Sequence, residues 1–181
     1  QLQELEKKFI KVKEWSENSG IPVFLGEFAC HQDADYNSRM KHYRAYINFS
    51  LKYGFTPCVW DDGGNFGVLG RSARKWNEIK DILIYCYPGS PTITRLSTEQ
   101  DTLVSIQWSN GSGGQDSITL QRKTGWGSFV HIATLGADST SYIDAGAAQE
   151  KDHYYRIVAH FPLQKVSHSN PLHIYMPEYV P

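Results

Sequence analysis

One acidic residue stands out by its setting. Glu27 closes the run Ile21-Pro22-Val23-Phe24-Leu25-Gly26, apolar at almost every position, and a polar loop with His31, Gln32, Asp33 and Asp35 follows it. A carboxylate beside Phe24, Leu25 and Phe28 costs free energy unless partners hold it. Glu27 is therefore a catalytic group, a cap for the next helix, or half of a salt bridge to an arginine. Trp60 closes a second apolar run, Thr56-Pro57-Cys58-Val59. If the two runs are neighbouring strands, the indole and the carboxylate meet on one face. Such a pair suits glycoside cleavage, in which a ring docks the sugar while the carboxylate attacks its anomeric carbon. The plain alternative for Trp60 is core packing. Asp61 and Asp62 come next and read as a second carboxylate, as metal ligands or as a solvated loop.

The elements that must position these residues are legible as periodicities. Leu2, Leu5, Phe9 and Val12 recur at spacings of three and four, which predicts an amphipathic helix over 1–19 that stops at Ser19-Gly20. Residues 21–27 then read as a strand buried on both faces, as parallel strands are. Met40, Tyr43, Ile47 and Leu51 mark a helix over 39–53 ended by Gly54, and 56–60 is a second buried strand. A glycine-rich loop covers 61–70. A third helix is expected over 74–85, with Trp76, Ile79 and Leu83 inward. The order α-β-α-β-α implies parallel strands with crossover helices. Two such strands cannot cover both faces of a sheet, so residues 1–85 are expected to be one end of a larger α/β domain whose start lies outside this chain.

Residues 86–91, Cys-Tyr-Pro-Gly-Ser-Pro, are turn formers and mark a linker. Beyond them the texture changes to short alternating segments around 93, 103–108, 117–122, 129–133, 141–143 and 154–159, separated by Gly, Asn, Asp and Ser. Strands at this spacing without helices predict an antiparallel sandwich.

Composition narrows the class. The 181 residues are 40% apolar and 20% charged with a formal net charge of −1, so no basic or acidic stripe offers itself to nucleic acid or anionic lipid. Five Trp and eleven Tyr are core residues or platforms for the flat C–H faces of sugars. Cys30, Cys58 and Cys86 form neither a disulfide framework nor a metal-ligand pattern. No metal and no cofactor is expected. No run approaches a membrane-spanning length, and no signal-peptide pattern opens the chain. It begins at Gln1 in mid-helix, as a trimmed or excised product would.

Residues 21–85 resemble the end of the catalytic barrel of glycoside hydrolase family 5. Ile21 to Phe28 is similar to that family's seventh strand, whose Gly-Glu-Phe carries the nucleophile. Arg39 with the Tyr-rich helix resembles its seventh helix, and Val59-Trp60-Asp61-Asp62-Gly63 its eighth strand. Gly67-Val68-Leu69 to Arg71, then Trp76, match the loop and last helix. The branch with endo-β-1,4-glucanases, lichenases and xyloglucanases is the most similar. The resemblance implies that Glu27 is the nucleophile of a retaining mechanism and that Trp60 is a substrate platform, with His31, Asp61 and Asp62 as further candidate substrate contacts. Ala29 departs from the usual glycine, and Val59 and Asp62 from a common Trp and Asn. Retaining cleavage needs a second carboxyl group about 5 Å away. In the family it lies in an Asn-Glu-Pro, which this chain lacks; its one Asn-Glu, Asn77-Glu78, is expected inside the last helix.

The expected architecture is thus the last two βα units of a TIM (β/α)8 barrel over 1–86, incomplete in this chain, followed by a β-sandwich over 91–176. The second part resembles a fibronectin type III module. Trp108 is similar to its core tryptophan, and Tyr155, Ile157 and Ala159 to the inward positions of its sixth strand. His153 stands where a corner tyrosine is usual, and His153, His160 and His168 read as structural. The expected partners are a β-glucan or related plant polysaccharide and the missing N-terminal part of the same polypeptide, with no nucleic acid and no membrane. Cleavage of a polymer implies an extracellular or cell-surface setting. The 181 residues alone are not expected to turn over substrate. The alternative is a non-catalytic carbohydrate-binding or spacer module using Trp126 and Phe129, and a cleaved but attached N-terminal half is a third arrangement. The sequons at Asn48 and Asn110 are chance candidates for glycosylation.

Overall fold

A computed structural model describes residues 1–179. The chain folds as two units, Gln1–Pro88 and Gly89 onward.

In the first unit, helix α1 (Leu2–Ser19) ends at Gly20, whose φ of 70° lets its N–H reach the Ser16 carbonyl. Strand β1 (Phe24–Phe28) follows, then α2 (Tyr36–Tyr53), capped by the Asp35 carboxylate on the Ser38 N–H at 2.8 Å. Gly54, with φ of 74°, closes α2 and leads into β2 (Thr56–Val59), which pairs in parallel with β1. One core gathers Phe28, Met40, Tyr43, Ile47, Val68, Ile79, Ile82 and Cys86, with Leu25 and Val59 packed against it. Phe9 anchors α1 separately, its ring 5.6 Å from Phe55, 5.5 Å from Phe49 and 5.9 Å from Tyr46.

Three expectations need correction in this unit. The apolar stripe of α1 buries only Phe9; Leu2 and Val12 are exposed. Neither β1 nor β2 is buried on both faces: Phe24 is 63% exposed while Leu25 and Phe28 meet the helices, no residue of Thr56–Val59 is fully buried, and Trp60 is exposed. The third helix does not begin at Arg74. Leu69–Gly70 (β3) and Lys75–Trp76 (β4) pair as a short hairpin, and α3 spans only Ile79–Tyr85. Arg74 turns the chain with φ of 51°, outside helical space. The N–H of Asn77 is committed to the Val68 carbonyl at 3.0 Å, and its side-chain Oδ1 receives the Ile79 N–H at 3.0 Å. Asn77 therefore stands before α3 rather than inside it, and Trp76 faces solvent.

The second unit holds two antiparallel sheets. Strands β5 (Thr92–Glu99), β6 (Leu103–Ser109) and β9 (Ser141–Asp144) form one, in the order β5-β6-β9. Strands β7 (Ser117–Thr124), β8 (Val130–Gly136), β10 (Lys151–Phe161), β11 (Lys165–His168) and β12 (Leu172–Met176) form the other, in which β10 pairs with β7, β11 and β12. Alternate residues of both sheets meet in one core: Val104, Ile106 and Trp108 from the first, Ile118, Leu120, Tyr155, Ile157 and Ala159 from the second. Between β11 and β12 the ladder is kept by Ser169, whose Oγ accepts the Ile157 N–H at 2.9 Å while its own N–H donates to the Ile157 carbonyl.

Two buried polar groups tie this unit together. Asp144 Oδ2 accepts from Arg122 Nη1 and from the Tyr155 hydroxyl at 2.8 Å, and its Oδ1 accepts the Gly146 N–H at 2.8 Å. His153 is fully buried, with Nε2 2.8 Å from the Ala148 carbonyl and Nδ1 3.0 Å from Thr124 Oγ1. A carbonyl only accepts, so Nε2 carries the proton. The imidazole thus bonds back to the preceding loop. The Asn110 side chain is likewise occupied, accepting from Trp108 Nε1 and donating to the Ala137 carbonyl.

Candidate active site

The position of Glu27 follows from the register of two strands. Phe24 pairs with Thr56 and Leu25 with Pro57, and the pairing resumes with Phe28 opposite Val59. Three steps on β1 answer two on β2, so β1 bulges over Gly26 and Glu27. A regular strand would send Leu25 and Glu27 to the same face. The extra residue breaks that alternation: Leu25 and Phe28 both reach the helix-covered core, and Glu27 is left exposed. Trp60 continues β2 by one residue, its N–H donating to the Phe28 carbonyl at 2.9 Å. Glu27, Phe28, Ala29, Trp60 and Phe66 line one open recess of about 320 Å³. Glu27 is the only acid among these five residues.

Helix α2 clamps the chain just beyond Glu27. The buried Tyr43 hydroxyl accepts the Cys30 N–H at 3.1 Å and reaches the Cys30 carbonyl at 3.5 Å. His42 hydrogen-bonds the backbone of Ala29; burial lowers its pKa, and that bond partly opposes the shift. Desolvation also raises the pKa of Tyr43 above its usual value, so the hydroxyl stays protonated in ordinary buffers. The loops after the two strands are joined by Gln32, whose N–H meets the Asn65 carbonyl at 2.8 Å and whose Nε2 meets Asn65 Oδ1 at 2.9 Å.

The remaining sequence candidates lie around the recess rather than in it. Asp61 Oδ2 accepts the Leu69 and Val68 N–H groups at 3.0 and 2.9 Å, and Oδ1 accepts that of Gly63 at 2.7 Å. These bonds, Leu69 first, hold its carboxyl below the usual range. Asp62 Oδ1 accepts from Gly64 at 2.8 Å and Phe66 at 3.1 Å, which lowers its pKa too. Both aspartates thus turn into their own loop, and Asp62 fixes Phe66, a lining residue that sequence reasoning missed. The only signal for it was an aromatic in a glycine-rich loop. His31 stands behind that ring, edge-on at 5.2 Å, with Nδ1 receiving the Asp33 N–H at 3.3 Å. Among the described residues no group of His, Cys, Asp and Glu is placed to hold a metal ion, and no helix is long and apolar enough to cross a membrane. In the second unit Trp126 is wholly exposed, at 105%, whereas the Phe129 ring is covered by Arg156 at 4.3 Å and by Lys123 at 5.6 Å.

Known proteins share part of this chain. A stretch covering 37% of it is 42% identical to Endoglucanase H of Acetivibrio thermocellus. One region of this chain is similar to endoglucanases. Endoglucanase A of Clostridium longisporum is 36% identical over 39% of the chain, and Endoglucanase 1 of Ruminococcus albus 35% identical over 33%. The chain spans only 7%, 15% and 16% of these three relatives' lengths. No protein-family model matches it. Similar solved structures include endoglucanase Cel5A from Thermotoga maritima, 27% identical over 46% of this chain and 27% of that one, with a TM-score of 0.44. The cellulose synthase subunit Z from Clostridioides difficile is 27% identical over 46% of this chain and 28% of that one, with a TM-score of 0.45.

Proposed function

We propose that the first unit is the C-terminal portion of a retaining endo-β-1,4-glucanase barrel of the family 5 type, with Glu27 as nucleophile and Trp60 as the floor of the adjoining sugar site. One observation carries this reading: two residues 33 positions apart, an acid and an indole, line the same recess because a bulge turns the acid away from the core. The carboxylate attacks the anomeric carbon, the glycosidic C–O bond breaks, and a covalent glycosyl ester forms. A second carboxyl group must protonate the leaving oxygen and later activate water. None lines the recess, so turnover needs further barrel strands, which the exposed face carrying Phe24 and Trp60 is suited to meet. The second unit is a fibronectin type III-like spacer, with His153 in place of the corner tyrosine. The substrate is an extracellular β-glucan or a related plant polysaccharide.

The test uses a substrate that needs no acid. A 2,4-dinitrophenyl 2-deoxy-2-fluoro-β-cellobioside releases dinitrophenolate without protonation, and its fluorine slows hydrolysis of the ester. Intact mass and peptide mapping of the 181-residue chain are expected to show one fluorocellobiosyl adduct on Glu27, absent from Glu27→Gln. The chain alone is expected to leave a soluble β-1,4-glucan uncut. No adduct, or an adduct elsewhere, overturns the nucleophile; hydrolysis of the glucan overturns the need for a second carboxylate from outside.

A further inference from the structure

The β3–β4 hairpin presents chemistry that cleavage of a neutral glucan does not require. Arg71 folds over the loop that follows Trp60: a Cβ at Gly63 would stand 2.4 Å from its Cζ. The nearest acid is Asp61, at 3.8 Å from Nη2 and so beyond hydrogen-bond distance. That carboxylate already receives three N–H groups. The Arg71 side chain is 64% exposed, so its fork of donors is open to solvent. Arg74 and Lys75 follow on the same hairpin, both exposed. Trp76 is exposed as well, at 59%, and pairs with Leu69, whose N–H is bonded to Asp61. The backbones of these two strands lie one spacing apart, about 4.8 Å, and Asp61, next to Trp60 in the chain, holds the Leu69 strand.

We propose that this hairpin is an accessory subsite for a carboxylate-bearing sugar, a uronic acid unit on the polysaccharide whose backbone lies in the Glu27–Trp60 recess. The proposal rests on the reading of that recess as a polysaccharide site. A guanidinium fork matches a carboxylate in two parallel hydrogen bonds, and Arg74 and Lys75 add attraction for the same charge. Trp76 offers a flat face to the sugar ring beside it. Asp61 forms a long ion pair with Arg71, but the hydrogen bonds of both aspartates go to backbone N–H groups of their own loop, so the Arg71 donors are not taken up by either carboxylate. A neutral glucan presents hydroxyls alone and offers no charge for Arg74 and Lys75 to meet.

Affinity electrophoresis of the 181-residue chain tests this with two polymers on the same backbone, neutral hydroxyethylcellulose and carboxymethylcellulose. The wild-type chain is expected to bind the carboxylated polymer about tenfold more tightly at low salt, the effect of one charge-assisted pair, and to lose most of that preference at high salt. Arg71→Gln should remove the preference and leave hydroxyethylcellulose binding unchanged. The pair Arg74→Gly and Lys75→Gln, which keeps Arg71 and suits the left-handed turn at 74, should reduce it while the thermal midpoint holds. Equal binding of both polymers by the wild type, or a preference that survives both variants, overturns the subsite. Trp60→Ala separates the two readings. If it abolishes binding to the neutral polymer, the recess stands whatever the hairpin does. If it leaves that binding intact, the recess reading fails, and the charge preference still decides whether the hairpin holds a carboxylate.

Discussion

Replacing Asp144 by alanine should cost the second unit about 3 kcal/mol, at the lower end of the range for breaking an enclosed ion pair. The value follows from what the carboxylate leaves behind. Its side chain is 6% exposed and that of Arg122 only 18%, so the arginine loses its counter-ion in a place water reaches poorly. Arg122 Nε already lacks a hydrogen-bond partner, so no second acceptor waits for it. The Tyr155 hydroxyl and the Gly146 N–H lose an acceptor as well. Tyr155→Phe removes one of these bonds and leaves Asp144 its other two partners, so it should cost about 1.5 kcal/mol, the lower figure for a bond to a charged group. The assay is urea unfolding followed by fluorescence. Trp108 is buried in the core of this unit, whereas Trp15, Trp60, Trp76 and Trp126 are exposed, so the shift from blue to red emission reports Trp108. With a slope of about 1 kcal/mol per M for a unit of this size, the midpoint should fall by roughly 3 M for Asp144→Ala and by about half that for Tyr155→Phe. A fall below about 1 M for Asp144→Ala would refute the reasoning, as would equal losses for the two variants.

Burial, then the bond to Asp144, raises the pKa of Tyr155 far above its ordinary 10.0. The unfolded tyrosine releases its proton near pH 10 and the folded one does not. The stability from this group is therefore full below pH 10 and declines as pH rises beyond it. Urea midpoints taken from pH 8 to 11 should fall more steeply for the wild type than for Tyr155→Phe, and parallel curves would contradict the assignment. Because the second unit is a spacer on this reading, Trp126→Ala should leave retention on insoluble cellulose unchanged. A marked loss in a pull-down would make that unit a binding module instead.

Much of the fold is legible in single residues. Gly20 and Gly54 stop their helices because each adopts a left-handed conformation that glycine tolerates at no steric cost. The alternation in 103–108 and 154–159 anticipates which side chains enter the core of the second unit, since a strand turns successive residues to opposite faces whatever surrounds it. The run of turn formers at 86–91 spans the point between Pro88 and Gly89 where the two units divide. All of these are local properties, decided within a few residues of the chain.

What the tertiary structure decided is direction. Apolar composition places Glu27 at the end of a strand, but the bulge that swings it away from Leu25 exists only in the pairing with β2. Asp61 and Asp62 look from sequence like candidates for a ligand, yet backbone N–H groups up to eight residues away claim them. Trp76 continues an apparent helical stripe, and only the pairing of Lys75 and Trp76 with Leu69 and Gly70 pulls it out into solvent. His153 can be buried because Ala148 and Thr124, distant from each other in the chain, each meet one of its ring nitrogens. A periodicity states that a residue has a buried neighbour or an exposed one. It does not state which strand lies alongside or in what register, and the face a side chain takes depends on both.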